Sequence, residues 1–437
     1  MHQKMPHAST ASHSRQPSLR QHPLRDLLDR ELRQGTFGTL SLPCRLCHFT
    51  LTVASSSRQQ EQRLLQQLAE QQGSLLSDSA NELNLSLFGS SLRWERHGEF
   101  SSYTFIMPGA SQPWFDDPLA FLPSRHWFDD LPGQVFRISQ LTIIAATELK
   151  DSDQLSQLFH QENCISSMLA QGKAQIWTDF QKHAEGSGRM LLVDHGLSPA
   201  RLSRLVQQLF DLGDYRKLSL LGWPLARQAL SQLHQLEQQL SALTHRIGQH
   251  SMRDESQLDD IMQLATQTEQ LIAENSTRLQ ASVAYYQLTL DRLRSLQETE
   301  SEGLLSLQDF TERRLTPAFR TCSAVLNRQS ELSNRLGRAT ELLRTRINLK
   351  LEQQNQQLLR SMEQKARLQL KMQQMVEGLS FVAISYYALQ LADKGLQALQ
   401  YWLPGLSLQF WQSLSLPVVL VAVALLLFQA SRRLKSH

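Results

Sequence analysis

The sequence predicts an α+β domain, then a long α-helical coiled-coil stalk, then two C-terminal transmembrane helices. Three observations support this fold class. Alternating strand patterns mix with amphipathic helices in the first half of the chain, Leu and Ile recur at heptad spacing in the second half, and two apolar runs lie near the C-terminus. The expected regions are a disordered N-terminus at 1–21, the α+β domain at 22–215, the helical coiled-coil section at 216–375, the transmembrane helices with a short outside loop at 376–430 and a basic tail at 431–437.

Composition argues against several classes of protein. The 437 residues carry 44 Lys and Arg against 41 Asp and Glu, and this near-balance gives no reason to expect a nucleic-acid partner. Four cysteines in this length do not indicate a disulfide framework. Residues 1–21 lack the apolar core of a secretory signal, so we expect the folded N-terminal part to stay in the cytoplasm.

Period-two alternation and Gly-bearing turns predict most of the first domain. Ser57 and Gly73 are suited to begin and end its first helix, and Gln171-Gly172 is suited to the turn of a hairpin. The predicted strands are 45–54, 83–88, 91–97, 100–107, 134–145, 165–169, 174–180 and 189–193, and the predicted helices are 57–72, 151–160 and 198–212. This mixture indicates one sheet with helices packed against it.

Apolar residues at gaps of three and four predict three helical stretches after residue 230. Gly248 and Gly303 interrupt the pattern, and Pro317 is expected at a helix start or a kink. The pattern fits an extended stalk or a compact bundle, paired within one chain or between chains. The seam positions are Leu233, Leu236, Leu240, Leu243 and Ile247, then Leu258, Ile261, Ala265, Thr268, Ile272, Leu279, Val283, Tyr286, Leu290 and Leu293, and then Leu332, Leu336, Ala339, Leu343, Ile347, Leu358 and Met362.

Two runs near the C-terminus read as membrane spans. The run 414–430 carries no charge, and extending it back to Phe410 gives the length that a ~30 Å hydrocarbon core requires. The run 376–392 is weaker, because Glu377 and Gln390 lie near its ends, and a buried or interfacial helix is the alternative. Aromatic residues between the runs favour two spans, since such rings prefer the membrane–water boundary: Tyr401, Trp402, Phe410 and Trp411.

Basic residues predict the orientation of these spans. They flank the pair on both outer sides, and the segment 393–410 between the spans carries only Asp393 and Lys394. The positive-inside rule then places both termini and the main domain in the cytoplasm. The flanking residues are Lys365, Arg367 and Lys371 before the first span and Arg432, Arg433 and Lys435 after the second.

Cys44, Cys47 and His48 match the C-x-x-C-H spacing of covalent haem attachment. Covalent haem belongs to exported proteins, and the odd spacing on a predicted strand places the two thiols on opposite faces. A zinc site would need a second ligand pair, whereas Cys164 and Cys322 stand apart in sequence. We therefore expect incidental thiols, no metal site and no cofactor.

Polar and aromatic residues mix at two places in the first domain and at the edge of the first span. A His beside a carboxylate is suited to acid–base work, but cross-strand ion pairs and packing explain the same residues without catalysis. Gly186-Ser187-Gly188 is too short for a phosphate loop, and the catalytic residues, if any, stay unknown. The candidate polar or membrane-edge residues are Trp94, Glu95, Arg96, His97, Trp177, Asp179, His183, Arg189 and Glu377.

Several longer sequence segments resemble the bacterial membrane-anchored family known as domain of unknown function 3422. They are HPLR at 22–25, RWERHGEF at 93–100, WTDFQKHAEGSGR at 177–189, YRKLSLLGWPLAR at 215–227 and VEGLSFVAISYY at 376–387. The resemblance covers nearly the whole chain after residue 21. The chain departs from the family at 33–37, where the family tends to carry His-Ala-Arg-Pro, and in its Cys pair. The resemblance implies a bacterial inner-membrane location and this architecture, but no reaction.

Three functions compete at this point. The first is a membrane-anchored, cytoplasmic-facing scaffold or assembly protein, bound to the lipid bilayer as a homo-oligomer. An excess of 13 Lys and Arg over 5 Asp and Glu at 311–371 leaves room for an unidentified acidic protein partner. The second is a transporter that resembles the CorA-type magnesium family in architecture, although 391–395 reads LADKG in place of a Gly-Met-Asn word. The third is an enzyme with an unrecognised site.

Overall fold

A computed structural model describes residues 37–434, with gaps at 78–79, 88, 111–112, 150–152, 249–253, 300–304 and 403–407, together with residues 22, 24, 25 and 28. The expected disordered N-terminus at 1–21 lies outside the described residues. The chain forms two compact units. The first comprises Met1–Ala242 and Gln263–Leu336, and the second comprises Leu243–Met262 and Gly337–His437.

An eight-stranded sheet forms the centre of the first unit, in the order β2-β3-β4-β1-β5-β8-β7-β6. Neighbouring strands are antiparallel except β5 and β8, which are parallel. The strands are β1 (Cys44–Thr52), β2 (Glu82–Leu87), β3 (Ser90–Arg96), β4 (Phe100–Pro108), β5 (Gln134–Ala145), β6 (Ile165–Leu169), β7 (Ala174–Thr178) and β8 (Gly188–Asp194). The predicted N-terminal domain of strands and helices is confirmed.

Eight α-helices within the described part of residues 37–434 accompany the sheet and continue the chain. They are α1 (Arg58–Gln71), α2 (Arg125–Asp129), α3 (Asp153–Leu158), α4 (Pro199–Leu218), α5 (Trp223–Gly248), α6 (Asp254–Ser295), α7 (Leu307–Trp402) and α8 (Leu408–Leu434). Pro199 stands at the first position of α4, where its missing N–H costs nothing and its fixed φ favours the helix. α4 runs six residues beyond the predicted end at 212.

The two faces of the sheet carry separate cores because successive side chains of a strand point to opposite sides. On β1, Cys44 and Leu46 pack in the core under α4, whereas Cys47 and Phe49 pack in the core under α1. The expectation that the two thiols lie on opposite faces is therefore confirmed. A third, smaller core around Trp114 and Phe115 includes side chains of β5 and β8.

The helical section contributes to the same unit as the sheet. Leu293 and Leu296 of α6 and Leu307 of α7 belong to the core under α4. Between these helices the chain pairs with the edge strand β6, where Thr299 and Met168 exchange backbone hydrogen bonds of 2.8 and 3.3 Å. The end of α6 and the start of α7 are therefore built into the sheet domain.

Three helices of the first unit pack on one another within a single chain. Arg328 of α7 donates to both carboxylate oxygens of Glu237 on α5 at 2.9 and 2.6 Å. Tyr286 of α6 stacks on Phe319 of α7, with ring centroids 4.2 Å apart. Buried positions on α7 follow the heptad spacing: Leu315, Ala318, Cys322, Val325, Gln329, Leu332 and Leu336. These contacts favour pairing within one chain for this part of the helical section.

Two details of the predicted helical section need correction. Pro317 does not mark a helix start, because α7 begins at Leu307 and continues past it. On α6 the buried face includes Leu264 and Leu271, so the seam lies one position before the predicted Ala265 and Ile272, which are half-buried. α5 ends at Gly248 as predicted, and the predicted break at Gly303 lies outside the described residues.

Most of the exposed large apolar side chains of the described chain lie in the second unit. Near its start, Arg346 of α7 donates to the Ile247 carbonyl at 2.8 Å and lies 3.5 Å from Asp254, so the three helices still touch there. From residue 348 to residue 380 every side chain of α7 is exposed. The predicted seam positions Leu358 and Met362 therefore have no partner within the described chain.

One described helix, Leu307–Leu399 within α7, is long and apolar enough to cross a membrane, and 6% of its apolar window is buried. A shorter apolar stretch, Ser413–Leu426, lies in α8. α7 also continues to Trp402 through part of the predicted loop at 393–410, since that segment contains mostly good helix formers. Among the described residues of both helices after 376, Ser385 and Val423 are buried, although we expect the first span to expose Ser385 on its surface of small residues.

Candidate functional site

The sequence-predicted polar residues occupy separate places in the structure. Trp94, Glu95, Arg96 and His97 lie on or directly after β3, the second strand from one edge of the sheet. Four strands separate β3 from β7, near which the other candidates lie. Those candidates are Trp177 on β7, Asp179 and His183 in the following loop, and Arg189 on β8. Glu377 lies on α7 in the second unit, where Gln373 donates to its carboxylate at 3.3 Å.

Trp94 and Arg96 surround a buried carboxylate that the sequence did not reveal. Glu61 of α1 accepts hydrogen bonds from the Trp94 indole at 3.3 Å and from the Tyr103 hydroxyl at 2.7 Å. Arg96 lies 3.3 Å from the second oxygen of Glu61 and stacks over the Trp94 ring. Burial, and then the Glu61 charge, raise the pKa of Tyr103 well above its ordinary value. This cluster neutralises its own charges and holds α1 on the sheet.

A second buried charge cluster lies on the opposite face, under α4. Asp214 accepts from Thr50 at 2.6 Å and from Arg137 at 2.8 Å, and its other oxygen lies 2.9 Å from Nε2 of His48. Burial alone would raise the pKa of Asp214, but His48, Arg137 and the hydrogen bonds hold it well below the ordinary value. The side chains of His48 and Asp214 are each 4% exposed. A substrate cannot reach this His–Asp pair, so it is a structural pair.

Glu95 and His97 extend the charged surface of that same face. Arg93 donates to Glu95 at 2.7 Å, and Gln207 of α4 donates to its other oxygen at 3.3 Å. Burial opposes ionisation of Glu95, but the Arg93 contact lowers its pKa. Burial likewise lowers the pKa of His97, which stacks on Phe100. The interpretation of these residues as ion pairs and packing groups agrees with these contacts.

Asp179 and His183 take part in the one described cluster with metal-ligand geometry. Nε2 of His183 lies 2.9 Å from Oδ2 of the buried Asp179, and the His183 ring stacks on His160 with centroids 5.0 Å apart. One ligand atom from each of the three residues lies within 4.8 Å of the other two. Two imidazoles and a carboxylate suit a divalent transition metal. Sequence reasoning missed His160, because no short spacing links it to Asp179.

Asp179 also stabilises the loop in which it lies, so the cluster has a structural explanation as well as a metal-binding one. Its carboxylate accepts the backbone N–H groups of His160 and Gln181, each at 3.0 Å. These bonds turn the chain after Thr178, so β7 ends two residues earlier than predicted. A metal would therefore share a carboxylate that already accepts three hydrogen bonds.

The remaining candidates near β7 are engaged in contacts of their own. Arg189 forms an ion pair with Glu185 at 2.7 Å and donates to the Leu158 carbonyl at 3.0 Å. Burial opposes ionisation of Glu185, but the hydrogen bond from Arg189 lowers its pKa. Trp177 packs against the third core. Asp179 and Arg189 also line a cavity of about 820 Å³ in the first unit.

The C-x-x-C-H segment has a structural explanation. Burial raises the pKa of Cys44 to about 12 and that of Cys47 well above its ordinary value, so neither thiol ionises at neutral pH. The thiols lie in different cores, and His48 is bound to Asp214 and Thr104. They cannot meet on one ligand unless β1 leaves the sheet.

Comparison with known proteins gives one match. No curated protein and no solved structure matches the chain. Residues 20–434 match a family described as a protein of unknown function, DUF3422. The match includes the sheet, the helical section and the apolar helices that follow. The chain therefore belongs to the DUF3422 family.

Proposed function

We propose that the protein is a membrane-anchored scaffold that holds its sheet domain at the cytoplasmic face of a bacterial inner membrane. The observation that carries this proposal is the exposed apolar stretch of α7, of which 6% is buried. Leaving that surface in water costs about 25 cal/mol for each Å² of apolar area, whereas a bilayer removes the cost. The buried ion pairs of the sheet domain fit a structural rather than a catalytic use.

The proposal includes two spans. α8 has 27 residues, and at ~1.5 Å per residue this length exceeds a ~30 Å hydrocarbon core. Basic residues flank the pair, as the positive-inside rule requires for two cytoplasmic ends. Pro417 lies inside α8, and the apolar stretch Ser413–Leu426 around it keeps a helical backbone.

The proposal also includes a homo-oligomer. Leu358 and Met362 are exposed at 60% and 59%, although they continue a seam that is buried earlier on α7. Ala388 and Ala392 form a small-xxx-small pair that lets helix backbones approach closely in lipid. A second copy of α7 would cover these positions.

Two measurements test the parts of the proposal separately. A reporter enzyme that is active only outside the cytoplasm is fused after Leu399 or after His437. We expect activity from the first fusion alone, and activity from the second would contradict two cytoplasmic ends. Cross-linking in native membranes, followed by mass measurement in mild detergent, tests the oligomer. A monomer at every concentration would contradict it.

A metal-dependent activity is the second candidate function, because His160, Asp179 and His183 converge. Two imidazoles and one carboxylate leave an open coordination position on a tetrahedral ion. The test is the metal content of the full chain purified without added metal. We expect one equivalent of zinc in the wild type and none in His160→Ala, with His195→Ala as the control. Equal metal content in all three proteins would contradict this candidate.

A further inference from the structure

The cavity of about 820 Å³ in the first unit is strongly basic. Its wall is formed by β5, the loop between β7 and β8, the end of α4 and the start of α7. Among the described residues that line it, Asp179 is the one carboxylate. The basic residues that line it are Arg137, Lys182, Arg189, Arg216, Lys217 and Arg314.

Two of these cations are neutralised by carboxylates, and four are not. Arg137 is bound to Asp214 at 2.8 Å, and Arg189 is bound to Glu185 at 2.7 Å. Within the described part of the chain, the other four lie within ion-pair distance of no carboxylate. These four are Lys182, Arg216, Lys217 and Arg314. The cavity therefore presents positive charge that the described protein does not balance.

Aromatic rings hold two of the unbalanced cations in a fixed orientation. The Arg216 guanidinium lies 3.5 Å from the Phe180 ring centroid, and Phe180 stacks on Phe310 at 5.4 Å. The Arg314 guanidinium lies 5.6 Å from the Phe310 centroid. A guanidinium packed on a ring keeps its N–H groups at its edge, where they are suited to bidentate binding of a phosphate. Two arginines and two mutually stacked phenylalanines thus contact one another at one wall of the cavity.

The backbone at this wall is strained. Phe180 has φ of 51°, a left-handed conformation that bulky residues rarely adopt. Strain of this kind persists where the surroundings fix it and is concentrated at ligand sites. Gly213 also lines the cavity, and a Cβ there would clash with the Arg137 guanidinium, so glycine leaves that cation its place.

Helix ends explain part of this charge but not all of it. Arg216 and Lys217 lie in the last turn of α4, where the helix dipole favours cations. Lys182 and Arg314 belong to other elements and gain nothing from that dipole. Burial, and then the Arg137 charge, lower the pKa of Arg216 to about 9, so the cavity disfavours this cation until an anion joins it.

We propose that this cavity binds a phosphorylated small molecule that carries at least two adjacent phosphate groups. A phosphate monoester brings a charge of about −1.5 to −2, so two phosphates match the four unbalanced cations. Arg216 and Arg314 bind phosphate oxygens through their guanidinium edges, and Lys182 and Lys217 supply point charges. This inference does not rest on the scaffold proposal.

The test is calorimetric titration of the full chain in nanodiscs of neutral lipid, with inorganic pyrophosphate as the probe. We expect saturable binding to the wild type and at least tenfold weaker binding to Arg314→Gln, since one charge-assisted contact is lost. Arg313→Gln is the matched control, because Arg313 is exposed beside Arg314 and does not line the cavity. Lys182→Gln is a second variant at an exposed position. Thermal unfolding without ligand verifies that each variant folds.

A parallel arm identifies the source of the phosphate. Nanodiscs that contain phosphatidic acid compete with pyrophosphate if a lipid headgroup reaches the cavity, and leave its affinity unchanged if the ligand is soluble. Both results keep the phosphate site. The absence of saturable pyrophosphate binding to the wild type would overturn the proposal. Equal weakening by Arg313→Gln and Arg314→Gln would overturn it as well, because the binding would then follow net charge.

Discussion

The two parts of α7 use apolar residues in opposite ways. In the first unit, Leu332 is 1% exposed in a heptad seam that packs on α5 and α6. In the second unit, Leu358 is 60% exposed, and Val382 is 65% exposed within the apolar run that follows. The same helix therefore satisfies its apolar side chains internally in one part and leaves them uncovered in another. The uncovered part needs a bilayer or a second chain, which is why we assign anchoring to it.

The largest effect is expected at the uncovered residues of the proposed first span. Val382→Arg combined with Ile384→Arg places two charges in the apolar run, at about 2.5–3.5 kcal/mol each for a central position. We expect a smaller share of the protein in the membrane fraction, because α8 is then the single intact span of the two that we propose. Leu349→Arg combined with Leu351→Arg changes exposed residues of the same helix before the run. Equal loss from the membrane in both double variants would break the comparison.

Removing a buried charge should cost more unfolding free energy than removing an exposed charge. Asp214→Asn removes the partner of His48 and Arg137, and we expect a loss of about 3–5 kcal/mol of unfolding free energy. The exposed Asp291, paired with Arg294, is the control, where Asn should cost under about 1 kcal/mol. Urea unfolding in mild detergent measures both changes. A similar cost at the two positions would contradict a buried network at Asp214.

The hydrogen-bonded network around Asp214 also predicts how the unfolding free energy changes with pH. The pKa of Asp214 is lower in the folded than in the unfolded chain. Its contribution is therefore fully present above the unfolded pKa of about 3.9 and is lost as pH falls below it. Unfolding free energy followed from pH 7 to pH 3 should fall more steeply for the wild type than for Asp214→Asn. Parallel curves would contradict this linkage.

Truncating a buried and an exposed leucine of α7 should give a smaller difference in unfolding free energy. Leu332→Ala creates a cavity in the seam, and we expect a loss of about 2–4 kcal/mol. Leu358→Ala removes an exposed side chain, so its effect on unfolding should stay within about 0.5 kcal/mol. Denaturant unfolding of both variants measures this contrast. A large loss from Leu358→Ala would show that this position is covered in the folded protein.

Thiol reactivity should show the smallest effects. Burial raises the pKa of Cys44, Cys47, Cys164 and Cys322, which keeps all four thiols protonated at neutral pH. Cys164 is half-buried, and the other three are buried. We expect maleimide to modify Cys164 first and the others only after unfolding. Mass spectrometry of the intact chain measures the order, and early modification of Cys47 would place β1 outside the sheet.

Local sequence patterns predicted the strands and helices of the sheet domain. They could not predict side-chain contacts between residues that are distant in sequence. Alternation and turn residues gave β5 at its observed bounds, Gln134–Ala145. Asp214 and His48 are 166 positions apart, and no spacing links them. β7 was predicted two residues too long. It ends at Thr178 because the Asp179 side chain accepts backbone N–H groups and turns the chain, and the alternating pattern does not reveal such a contact. The basic cavity was missed because its cations come from five segments of the chain that only the fold brings together.

The most direct test of the anchoring claim is the accessibility of one residue between the two proposed spans. Gln397 is exposed on α7, and Gln397→Cys in a Cys164→Ala background gives an accessible thiol. A membrane-impermeant maleimide should label it in intact spheroplasts as fully as after lysis. Leu349→Cys in the same background should be labelled only after lysis. Labelling of Gln397→Cys only after lysis would contradict the two-span anchor.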